Sequence, residues 1–98
     1  GVKVRGMFIY PHQIEELASA LPGVARIAAR VDREEHRDSL ILDVETGDPA
    51  AGDALEEAVA AAARDRLRVR PDVIRIHPPG SLAEGPALVD DRRPAAGG

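Results

Sequence analysis

Val2-Lys3-Val4-Arg5-Gly6-Met7-Phe8-Ile9-Tyr10-Pro11-His12-Gln13-Ile14-Glu15-Glu16 is the stretch from which the rest of the chain can be read. Val2, Val4, Phe8 and Ile9 supply the apolar side chains of an extended segment, Tyr10-Pro11 closes it, and His12 to Glu16 opens an amphipathic helix. Gly6 lies inside what reads as one strand from Gly1 to Tyr10. A glycine there weakens the strand and marks a bulge or a close backbone approach by a ligand. Pro11 suits the first helical position, where its missing N–H would go unpaired anyway. Ile14, Leu17, Ala18 and Leu21 recur at i, i+3, i+4 and i+7 as one helical stripe, which Pro22-Gly23 stops. Both aromatic residues, Phe8 and Tyr10, and the sole lysine, Lys3, fall in this stretch, so function is expected at this end of the domain.

Outward from it, Val24 to Asp32 alternates, with Ala25, Ile27, Ala29 and Val31 on one face and Arg26, Ala28 and Arg30 on the other. Arg33 to Asp38 is a charged connection, and Ser39 to Glu45 alternates again through Leu40, Leu42 and Val44, which predicts a β-hairpin. Asp53 is placed as the N-cap of a second helix with Glu56 as its capping-box partner. That helix carries Leu55, Val59, Ala62 and Ala63 inward and runs to about Arg66 or Leu67. Asp72 to His77 reads as the last strand, ended by Pro78-Pro79-Gly80. Beyond Ser81 the pattern fades, and residues 94–98 are expected to form a flexible tail. The order β-α-β-β-α-β predicts an α+β, ferredoxin-like fold: a four-stranded antiparallel sheet with both helices on one face.

Ninety-eight residues bound the answer to one domain, with a core built almost wholly from Ala, Val, Leu and Ile. No run of apolar residues is long enough to span a bilayer, and no secretory signal pattern is present. Without cysteine, disulfides and thiolate metal sites are excluded, and a cytoplasmic location is expected. A net charge of −4 disfavours binding to a nucleic-acid backbone. Arg5 to Tyr10 has the aromatic content of a base-stacking strand, but an RNA-recognition fold carries that motif on its third strand. His12, His36 and His77 lack any ligand spacing, so no metal site is expected.

The opening stretch resembles the post-hinge motif of phenylacetate–CoA ligases, members of the adenylate-forming acyl-CoA synthetase superfamily. Leu21-Pro22-Gly23-Val24, Val31-Asp32-Arg33-Glu34, Pro78-Pro79-Gly80-Ser81-Leu82 and the closing Val89-Asp90-Asp91-Arg92-Arg93 extend the resemblance in order. It implies that residues 1–93 are the small C-terminal domain of such a ligase, whose large adenylating domain would precede Gly1. The implied chemistry has two steps: acid and ATP give an acyl-adenylate and pyrophosphate, then the CoA thiol displaces AMP. The small domain rotates between the steps. The implied CoA-channel, thioester-forming face is Lys3, Arg5, Gly6, Met7 and Phe8, with Lys3 and Arg5 positioned for CoA phosphates or acidic groups of the large domain. ATP, magnesium, CoA and an aryl acid belong to the full-length enzyme, and the domain alone is expected to bind no cofactor and turn nothing over.

In one respect the chain departs from this pattern. The family's adenylation lysine falls on Pro86 counting forward from Gly80-Ser81-Leu82, or on Gly85 counting back from Asp91-Arg92-Arg93. Three explanations stand: poor adenylation, a substitute group such as Arg92 or Arg93, or departure from the parent chemistry. The last makes the alternative a stand-alone regulatory or interaction module, able to form a homodimer through sheet edges or faces.

Overall fold

Arg5 (φ 45°) and Gly6 (φ 86°) both take left-handed backbone conformations, so the expected first strand folds back on itself. Positive φ at both central residues of a two-residue loop defines the type I′ turn, whose twist matches that of the flanking strands. In this computed structural model, which describes residues 1–92, the result is a small hairpin of β1 (Val2–Val4) and β2 (Met7–Ile9). The pairs are Val2 with Ile9, Lys3 with Phe8 and Val4 with Met7. Gly6 is therefore the tip of a turn and not a bulge within a strand. The tail expected at 94–98 lies outside the described residues.

Helix α1 (Pro11–Ala20) follows with proline at its start, and Gln13 Oε1 accepts the Tyr10 N–H at 2.8 Å, satisfying a donor at the helix entry. Strands β3 (Val24–Glu34) and β4 (Arg37–Thr46) form the expected hairpin, but the charged connection shrinks to Glu35 and His36, a second turn with both φ positive. A 3₁₀ turn at Pro49–Ala51 leads directly into α2 (Gly52–Leu67). Ala51 is the N-cap and makes no side-chain cap bond, so Asp53 sits inside the first turn instead of capping it.

Strand β5 (Val73–His77) runs parallel to β4, and a strand absent from the sequence reading, β6 (Leu88–Asp90), runs parallel to β3. The sheet order is β5-β4-β3-β6, with only the central pair antiparallel. The fold is thus α+β with a mixed four-stranded sheet. The all-antiparallel, ferredoxin-like arrangement is corrected on two points: the N-terminal segment forms a two-stranded sheet of its own, and the fourth strand comes from the C-terminal end.

One core unites these parts. Ile27, Ala29 and Val31 of β3 and Leu40, Leu42 and Val44 of β4 point to the face on which Ile14 and Leu17 of α1 and Val59, Ala63 and Leu67 of α2 are buried. Val4 and Ile9 join the same cluster with no exposed surface, so the hairpin closes one end of the core.

Candidate functional site

The hairpin buries Val4 and Ile9 and turns the other side outward. Lys3 and Phe8, paired across the strands, both face away from the core, with the Lys3 ammonium 5.8 Å from the centre of the Phe8 ring. Phe8 is 55% exposed, and Met7 and Tyr10 are also open to solvent, with Tyr10 stacked on His12. Large apolar side chains on a surface are informative when they gather in one place. At the tip, a Cβ built on Gly6 would meet no described atom within 4 Å beyond its two chain neighbours. The positive φ, and not crowding, is what calls for glycine there.

Two arginines bolt this hairpin to the sheet. Arg5 donates from Nη1 to the Asp38 carbonyl and to Asp72 Oδ2, both at 2.8 Å, and from Nη2 to the Arg70 carbonyl. Arg92, just past β6, donates from Nη1 to the Lys3 carbonyl at 2.6 Å and to Asp38 Oδ2 at 3.0 Å, while Nε and Nη2 fork onto Asp90 at 2.9 and 3.0 Å. Asp38 also receives Arg33 at 3.5 Å. Charge-assisted, forked bonds of this kind are roughly twice as strong as neutral ones.

The carboxylates register that environment. Burial pushes the Asp38 carboxyl up, but the Arg5 N–H and the Arg92 guanidinium outweigh it and hold the group below its ordinary value. Burial likewise opposes, and the Leu40 N–H and Arg5 overcome it, at Asp72. Asp90 is brought from 3.8 to about 2, chiefly by the Arg92 side chain. Because these values are depressed on folding, the stabilisation they give is complete above pH 3.8 and is lost as pH falls toward 2. Unfolding by denaturant is expected to become easier between pH 4 and pH 2, with a shallower dependence in Asp90→Asn. An unchanged slope in that variant would contradict the assignment.

Of the expected face residues, Lys3 and Phe8 are brought together on the outward side of the hairpin with Gly6 at its tip, whereas Met7, paired with Val4, lies on the other side and is exposed beside the turn. Arg5 is not free for a phosphate, since its guanidinium is committed inward. Arg92 is likewise engaged on four oxygens with its side chain only 14% exposed, which leaves it no free fork to stand in for the lysine at 86. Arg93 lies outside the described residues.

The segment bearing Gly85 and Pro86 links β5 at one edge of the sheet to β6 at the other. Glu45, 6% exposed, accepts the Gly80 N–H at 2.6 Å. Arg26, 3.8 Å from Glu45, donates to the carbonyls of Ala83 at 3.0 Å and Gly85 at 3.3 Å. Residues 83 to 86 are exposed along this strap. His77 meets Asp43 at 2.8 Å on the same side of the sheet, far in sequence from His12 and His36.

A family match spans residues 6–87, from the turn glycine to the residue before β6; the family is described as the AMP-binding enzyme C-terminal domain. The chain belongs to that family. Among solved structures, a domain of phenylacetate-coenzyme A ligase from Bacteroides vulgatus is similar with a TM-score of 0.80 and 22% identity, covering 94% of this chain and 92% of that one. 2-Hydroxyisobutyryl-CoA ligase, solved with 2-HIB-AMP and CoA in the thioesterification state, gives a TM-score of 0.81 at 25% identity over 93% of this chain. This chain spans only 21% of that ligase's length. The copper form of the MamM C-terminal domain shares the fold more loosely, with a TM-score of 0.56 and 17% identity over 87% of this chain and 88% of that one. No curated protein sequence matches the chain.

The residues that sequence reasoning missed are those of the clamp: Asp38, Asp72 and Arg92 as partners of the hairpin. Their separation in sequence hides them, although Val89-Asp90-Asp91-Arg92-Arg93 reads as a closing motif.

Proposed function

We propose that this chain is the small C-terminal domain of an AMP-forming acid–CoA ligase with phenylacetate-like specificity, and that β1–β2 is the face it turns to the CoA channel. The observation that carries this is the Gly6 tip: a backbone turn with open space where a side chain would project, followed by exposed Met7 and Phe8. The 25% identity to a ligase solved with CoA in its thioesterification state supports it. In the reaction, the CoA sulfur bonds to the acyl carbon, the acyl–phosphate bond breaks, AMP leaves with the electron pair and the thiol proton is released. The hairpin supplies no reacting atom. Its glycine lets the thiol arm pass close to backbone, while Met7 and Phe8 cover apolar surface and exclude water. Lys3, over the Phe8 ring, offers positive charge at the mouth. ATP and magnesium chemistry falls to the large domain, the partner this reading requires. A cysteine-free chain suits a reducing cytoplasm.

The test is made on the full-length protein that carries this chain: AMP release that requires ATP, CoA and an acid, compared between phenylacetate and small aliphatic hydroxy acids. Phenylacetate is expected to be preferred, and absence of AMP release with every acid would sink the reading.

Pro86 favours a second reading, a regulatory or interaction module on the same fold that has left ligase chemistry. Pro86→Lys separates the two. In a ligase it is expected to raise acyl-adenylate formation, read as pyrophosphate release, because a cation there would stabilise charge developing on the acid and phosphate. No rise in pyrophosphate release would leave the module reading ahead.

A further inference from the structure

The β1–β2 hairpin makes its ladder bonds within itself, and its attachment to the sheet runs through side chains. Val4 and Ile9 fix its depth, since both are wholly buried. They do not fix its azimuth, because two aliphatic groups in a core tolerate rotation that directed bonds do not. The directed bonds come from Arg5 at the turn and Arg92 at the first strand.

Arg92 stands out because it ties three separate parts of the chain. Its fork on Asp90 holds the guanidinium to the end of β6, Nη1 reaches Asp38 at the start of β4, and the same Nη1 takes the Lys3 carbonyl at 2.6 Å. Asp38 in turn accepts the Arg5 N–H at 3.4 Å, next to the turn glycine. The Lys3 carbonyl and the Gly6 tip are thus referred to one carboxylate and one guanidinium, both largely shielded from solvent.

We propose that Arg92, acting through Asp38, is a positioning residue for the hairpin tip, and that it sets the rate of the CoA-dependent half-reaction without taking part in adenylate formation. The inference rests on the reading of β1–β2 as the thioester-forming face. A small displacement of a positioned group costs rate out of proportion to its size. The fork matters as well as the charge. Lysine at this position keeps one contact and loses the simultaneous reach to Asp90, Asp38 and Lys3.

The experiment uses the full-length enzyme with Arg92→Gln, Arg92→Lys and Asp38→Asn. Preformed acyl-adenylate is mixed with CoA to time thioester formation, pyrophosphate exchange times adenylation, and hydrogen exchange follows the peptide covering residues 1–10. Arg92→Gln is expected to slow the thioester step by about tenfold, chiefly in kcat, with adenylation unchanged and amide exchange faster in residues 1–10. Arg92→Lys is expected to recover part of the rate, and Asp38→Asn to reproduce the loss. Asp38→Asn keeps the shape of the site, so the inference stays testable where Arg92→Gln folds poorly. Unchanged exchange in residues 1–10, or equal slowing of both half-reactions, overturns the inference and leaves the ligase reading intact. A wild-type enzyme that forms adenylate but never thioester overturns the reading itself, and is recognised before any substitution is made.

Discussion

Gly6→Val is expected to slow thioester formation from preformed acyl-adenylate by about 100-fold while adenylate formation stays near its wild-type rate. Two effects combine. At φ 86° a β-branched side chain is strained, which costs about 1–2 kcal/mol and loosens the type I′ turn. The larger effect expected under the proposed reading is spatial: a Cβ at Gly6 has nothing within 4 Å beyond its two chain neighbours, so the added bulk is not opposed by the domain's own packing and would project into the proposed channel. Gly6→Ala separates the contributions, because it carries most of the backbone strain with little of the bulk. The measurement compares the thermal midpoint with the two half-reactions. A loss of thioester rate no greater than the stability change explains would remove Gly6 from the CoA-facing role.

Leu42→Ala is expected to be the most damaging of the core substitutions, lowering the unfolding free energy by about 2–5 kcal/mol. Leu42 is wholly buried on β4 and stands between Ala29 of β3 and Ile74 of β5. Ala29 is already small, and the core cluster that Leu42 joins is built from small aliphatic groups such as Val59 and Ala63, so few neighbouring atoms can relax into the gap. With no aromatic group in the core to shift, the cavity persists. Against a total of about 5–15 kcal/mol for a domain of this size, the loss is a large share. Denaturant unfolding measures it, and a change under about 1 kcal/mol would mean that the helices collapse onto the sheet more readily than the packing implies.

Periodicity made the central hairpin and both helices legible. The alternation of Ile27, Ala29 and Val31 against Leu40, Leu42 and Val44 has one solution, and the stripe of Ile14 and Leu17 has another. The first strand is misleading because a glycine inside an apolar extended run reads as a bulge. Paired with Arg5 it forms a turn, and arginine is not a residue whose sequence announces positive φ; its guanidinium bonds to Asp72, Asp38 and Arg70 stabilise that conformation from a distance. Strand β6 was invisible for a related reason. Three residues, Leu88 to Asp90, carry too little alternation to register, and their place is set by pairing with a central strand far back in the chain. The residues proposed to face CoA lie in one local stretch, whereas the bonds that fix the hairpin to the sheet join Arg5 and Arg92 to Asp38 and Asp72 and leave no local pattern.

The parallel pairing of β6 on β3 also governs the order in which the molecule can be completed. Ala29, Arg30 and Val31 find their outer partners only when Leu88, Val89 and Asp90 arrive. Until then the outer side of β3 offers unpaired amides and carbonyls beside Ile27 and Val31, a template that another nascent chain can occupy. Synthesis in the forward direction therefore makes this edge of β3 early and its cover late. Weakening β6 is therefore expected to leave that edge open and to favour aggregation.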